Sequence, residues 1–120
     1  MYNQGLTVWY NVSDVDTTKA FYVEKLGFEC MMYDPEGGMV IIKTPTTNVE
    51  IGFSQANQVD QSSVSTVFDV DDIDEAMSIL SGRGIDFIGE VETIPGLVKL
   101  ATFQDPDGHS LMLAQSLSNG

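Results

Sequence analysis

The segment Val12-Ser13-Asp14-Val15 returns in the second half of the chain as Val70-Asp71-Asp72-Ile73. The pattern around both copies is the same, so the chain reads as one unit written twice. Each copy opens on an alternating apolar stretch, passes an acidic cap and a helical stripe, and closes with three short strands. In the first copy Leu6–Val12 alternates, with Val8, Tyr10 and Val12 on one face and Thr7, Trp9 and Asn11 on the other. Ser13 or Asp14 offers an N-cap for a helix over residues 15–26, which turns Val15, Phe21, Tyr22 and Leu26 to a core and ends at Gly27. Strands are expected at 28–33, 39–43 and 49–53, with turns at Pro35-Glu36-Gly37-Gly38 and around Pro45.

Residues 54–63 (SQANQVDQSS) are polar and without period, and read as a linker between units 6–53 and 64–114. In the second unit 64–70 alternates, and Asp71 or Asp72 caps a helix carrying Ile73, Ala76, Met77 and Leu80. Gly82 and Gly84 end that helix, and strands follow near 86–90, 97–103 and 110–114. The last of them is reached through an Asp105-Pro106-Asp107-Gly108 turn. A βαβββ unit used twice makes an α+β fold with mixed sheets, and 120 residues suit one domain over 1–120.

Charge narrows the partners. Five basic against 18 acidic residues leave a formal charge of −13, which repels nucleic acid and anionic membrane and attracts cations. With 42 % apolar residues the chain has enough to bury that disorder is excluded. No apolar run reaches the ~18 residues of a membrane span. The opening MYNQGLTVWYNV has neither a basic start nor a small-residue cleavage site, and the lone Cys30 has no internal disulfide partner. A cytoplasmic protein is expected.

Four elements in order, Val12-x-Asp14, Phe21-Tyr22, Leu26-Gly27-Phe28 and Asp105-Pro106-Asp107-Gly108, resemble the vicinal oxygen chelate superfamily over residues 6 to 113. That group includes glyoxalase I, extradiol dioxygenases, fosfomycin-resistance transferases and bleomycin-resistance proteins. The resemblance implies curved mixed sheets forming a cup, a homodimer whose second chain closes it, and, in catalytic members, four ligands to a divalent metal. Those positions fall on Thr7 and Ser65 in the first strands and on Glu50 and Met112 in the last strands. Hydroxyls and a thioether are poor ligands for zinc, nickel, manganese or iron, so one of four survives and neither metal nor other cofactor is expected. His109, the only histidine, is expected in a solvated turn.

The strand face opposite the helices collects Thr7, Trp9, Asn11, Glu50 and Gly52 from the first unit. From the second it collects Ser65, Val67, Asp69, Ser110, Met112 and Ala114. An apolar, aromatic face with two carboxylates suits a small aromatic or cationic ligand. Alternatively Trp9 fills a dimer core, neighbouring hydroxyls satisfy Glu50, and Asp69 serves the start of the helix. Met31, Met32, Met39 and Met77 read as core fillers and Cys30 as a structural thiol. The leading expectation is a metal-free binding protein resembling the bleomycin-resistance branch. The alternative is a glyoxalase-like lyase or isomerase with Glu50 as general base, with or without a weakly held metal. A stand-alone interaction module is the third class.

Overall fold

The computed structural model describes residues 1, 5–59 and 65–117. The chain divides into two compact units, Met1–Asp60 and Gln61–Gly120. Residues 60–63 of the expected linker, and Val64 at the expected start of the second unit, lie outside the described residues.

In the first unit, β1 (Leu6–Val12) leads through α1 (Val15–Ala20) to β2 (Glu29–Asp34), β3 (Met39–Lys43) and β4 (Val49–Gln55). The sheet order is β1-β4-β3-β2, with β1 and β4 parallel and the other pairs antiparallel. The second unit repeats this with β5 (Thr66–Asp69), α2 (Ile73–Gly82), β6 (Ile88–Ile94), β7 (Val98–Gln104) and β8 (Ser110–Ser116), in the order β5-β8-β7-β6. These are the two mixed four-stranded sheets of the expected α+β fold. Among the described residues no helix is long and apolar enough to cross a membrane.

Alternation decides which strand face each helix covers. Tyr10 and Val12 of β1, Val40 and Ile42 of β3, and Ile51 and Phe53 of β4 are buried with Val15, Phe21 and Tyr22. Tyr22 sits 4.7 Å from Phe53, ring centre to ring centre, and Phe53 in turn stacks on Tyr10 at 5.9 Å. In the second unit Ile73 and Leu80 of α2 are buried, together with Ile85, Ala101, Phe103, Leu111 and Leu113.

Both helices start from the second of the two candidate caps. Asp14 accepts from the amide of Asp16, and Asp72 from those of Asp74 and Glu75. The first helix does not continue regularly to Leu26. After Ala20 it widens into a π turn, Phe21–Lys25, closed by the Leu26 amide on the Phe21 carbonyl at 3.2 Å. Gly27 then leaves the helix at φ 81°.

Several expectations are corrected. Strand β4 runs two residues into the stretch read as linker, because Ser54 and Gln55 both make contacts that need an extended backbone. Likewise β8 continues past 114 to Ser116. The methionines are not core fillers: a bulge between Cys30 and Met32 turns Met31 outward, 58 % exposed, and Met32, Met39 and Met77 are half-buried. Cys30 is an exposed free thiol on the edge strand β2.

His109 is not solvated but 2 % exposed. The turn closes on itself, with the His109 amide on Asp105 Oδ1 at 2.9 Å and the Asp105 amide on the His109 carbonyl at 3.0 Å. That tight loop carries the imidazole inward.

Candidate functional site

Each sheet has one face covered by its helix and one left open. On the open face of the first sheet, strand register sets out three rows. Thr7 lies opposite Glu50, which lies opposite Lys43; Trp9 lies opposite Gly52; Asn11 lies opposite Ser54. Thr7 and Asn11 are exposed and Glu50 is half-buried.

Trp9 is the centre of this face. Its indole packs against Gly52, so close that a Cβ there would collide with the six-membered ring. A glycine at that point of β4 is what allows the ring to reach the sheet. Indole Nε1 donates to Ser54 Oγ at 2.8 Å, which fixes the ring along β4. Even so, Trp9 remains 46 % exposed. The result is an aromatic platform held on its underside and at one edge, with a carboxylate in the adjoining row.

The open face of the second sheet is differently furnished. Ser65 Oγ donates to Ser110 Oγ at 2.6 Å. Val67, 49 % exposed, lies opposite Met112, and Asp69 lies exposed at the end of β5 opposite Ala114. The cap of α2 is Asp72. The candidate residues therefore form two groups: Thr7, Trp9, Asn11 and Glu50 on the first sheet, and Ser65, Val67, Asp69, Ser110 and Met112 on the second.

Register also revises one equivalence. Glu50 faces Thr7, and the matching neighbour of Ser65 is Ser110, since Thr66 pairs with Leu111 and Val67 with Met112. The ends of the strands agree. Gln55, five residues past Glu50, accepts from the Val15 amide, and Gln115, five past Ser110, accepts from the Ile73 amide. Within the fold's internal symmetry Met112 corresponds to Gly52, and Ser110 corresponds to Glu50.

The divalent metal that the resemblance implies for catalytic members would meet poor donors here. The four positions now read Thr7, Glu50, Ser65 and Ser110, one carboxylate and three neutral hydroxyls. Among the described residues no group of three His, Cys, Asp or Glu side chains is placed to hold an ion.

Two further residues join the first face that the alternation of β1 and β4 alone does not bring to it. Ser54 falls in the stretch expected as linker. Lys43 lies on β3, where burial of Ile42 and Thr44 on either side leaves it pointing outward. Alternation along β3, combined with antiparallel pairing to β4, was the available signal.

Comparison with known proteins places the architecture. A protein of the glyoxalase/bleomycin resistance protein/dioxygenase superfamily from Sphaerobacter thermophilus has a TM-score of 0.79 at 26 % identity, over 97 % of this chain and 99 % of that one. TnmS3, an antibiotic binding protein from Streptomyces sp. CB03234, shares the fold with a TM-score of 0.79 at 24 % identity, over 96 % and 97 %. A glyoxalase/bleomycin resistance protein/dioxygenase from Nocardioides does so with a TM-score of 0.79 at 20 % identity, over 100 % and 87 %. No curated protein matches. The family model of the Glyoxalase/Bleomycin resistance protein/Dioxygenase superfamily spans residues 6–113, so the doubled βαβββ chain belongs to that superfamily.

Proposed function

We propose that this protein is a metal-free, cytoplasmic binding protein that sequesters a flat aromatic or cationic small molecule against the Trp9 face, in the manner of an antibiotic-resistance protein. One observation carries the reading: a half-exposed indole pinned over Gly52 by Ser54, with Glu50 in the next row. An aromatic face fixed in place before binding loses little freedom when a ring stacks on it, and a neighbouring carboxylate draws a positive charge. TnmS3, an antibiotic binding protein of the same fold, is a precedent for such a use. A second copy of the chain is proposed to complete the site, making the working form a homodimer.

The test uses the single tryptophan as reporter. Planar cationic antibiotics and dyes titrated into the protein are expected to quench Trp9 emission saturably, with calorimetry giving the affinities. Trp9→Leu is expected to weaken binding by about 0.5–1.5 kcal/mol beyond the loss of buried area, the worth of an aromatic pair, and Trp9→Phe, which keeps a ring, by less. Glu50→Gln is expected to lower affinity for cations alone. If Glu50→Gln instead abolishes a turnover by about 10²–10⁴-fold, the protein is an enzyme using that carboxylate as base. A ligand identified independently by mass spectrometry that saturates the protein and leaves Trp9 emission untouched overturns the reading.

A further inference from the structure

The row beside Trp9 is not simply acidic. Reading across the first sheet, Glu50 of β4 stands directly opposite Lys43 of β3, and Lys43 stands directly opposite Glu29 of β2. All three side chains share the open face, since their β3 neighbours Ile42 and Thr44 are buried on the other side. Directly opposed residues hold their Cβ atoms about 5 Å apart. Among the described residues no ion pair engages Lys43, Glu29 or Glu50. An ammonium and a carboxylate, neither ion-paired among the described residues, therefore stand side by side, one row from the centre of the aromatic platform.

We infer, building on the function proposed above, that the ligand is a planar aromatic zwitterion. Its ring stacks on Trp9, its cationic group meets Glu50 and its anionic group meets Lys43. A purely cationic ring gains Glu50 but meets Lys43 as a like charge, and a purely anionic ring gains Lys43 but meets Glu50 and the −13 field. A molecule bearing both signs near one end of its ring pairs with Glu50 and Lys43 together, which neither a pure cation nor a pure anion does. Lys43 is thus the residue that sets specificity, by making simple cations bind less tightly than a zwitterion on the same ring.

The test holds the ring constant and changes only charge. Three probes share one flat ring: 2-naphthylalanine as zwitterion, its methyl ester as cation and its N-acetyl derivative as anion. Each is titrated by calorimetry into the full chain, into Lys43→Gln and into Glu50→Gln. The zwitterion is expected to bind wild type about tenfold more tightly than either relative, about one charge-assisted contact. Lys43→Gln is expected to bring the zwitterion down to the level of the ester while the ester binds as well or better, which also shows that the variant is folded. Glu50→Gln is expected to bring the zwitterion down to the level of the N-acetyl probe. An ester that binds wild type as tightly as the zwitterion, with Lys43→Gln leaving the zwitterion unchanged, overturns this inference and leaves the aromatic-cation reading standing. Failure of all three probes to bind wild type overturns both.

Discussion

Gly52 leaves bare the stretch of β4 against which the Trp9 ring packs, and that makes a sharp expectation. In Gly52→Ala the new methyl occupies space that the indole holds now, so the ring must swing outward and give up its bond to Ser54. Crowding of this kind costs about 1–3 kcal/mol. The half-exposed position of the ring places the outcome at the lower end, near 1 kcal/mol, with a red-shifted Trp9 emission and easier acrylamide quenching. Unchanged emission and an unchanged urea midpoint would show that the ring does not rest on Gly52. At this scale the sequence disclosed directions better than surroundings. Period-two alternation was enough to turn Trp9 away from Val8 and Tyr10. It carried no information on Gly52 as a seat or on Ser54 as an anchor, because both lie on a strand 43 or more positions away that only pairing brings alongside. His109 shows the opposite limit. Its sequence neighbours Asp107, Gly108 and Ser110 are those of a wet turn, and its burial depends on how Asp105 folds the backbone back.

Among the elements, each helix start is tied to the end of its unit's last strand. Asp72 caps the second and third amides of α2, while Gln115 of β8 accepts from the first at 2.8 Å. The first unit has the same arrangement in Asp14 and Gln55. The aspartates were readable, since a cap acts within three residues of itself. The glutamines were not, because they reach across 40 and 42 positions. Removing Asp72 by Ala is expected to cost about 1 kcal/mol, as N-caps do. Gln115→Leu is expected to cost a similar amount by leaving a part-buried amide without its partner. Both act on one turn of one helix, so the double variant should cost less than the sum, by about 0.5 kcal/mol or more. Urea unfolding of the four proteins gives the cycle, and strict additivity would mean that strand end and cap act independently. The π turn was invisible for a related reason. A 3.6 period assigns Phe21, Tyr22 and Leu26 to one broad stripe, and nothing in it shows that a wider turn puts Phe21 and Tyr22 into the core together.

For the molecule as a whole, charge and association oppose each other in a way that salt can separate. Two chains of −13 repel on approach, and screening relieves that repulsion, so a homodimer should tighten as salt rises from about 50 to about 500 mM. Attraction of a cationic ligand to the same acidic surface should weaken over the same range. The two responses therefore have opposite signs, although both derive from one net charge. Apolar side chains left exposed at Val67, Ile88 and Leu97 supply surface whose burial does not depend on salt and can hold two copies together. If the second copy completes the site, ligand and dimer are also linked: a molecule that binds only the pair must draw monomers into it. Sedimentation at micromolar protein, with and without saturating ligand and at both salt levels, reads all three effects. The expected result is a dimer that strengthens with salt and strengthens further with ligand. A single monomeric species under every condition, alongside saturable quenching of Trp9, would place the whole site on one chain and remove the shared-site model.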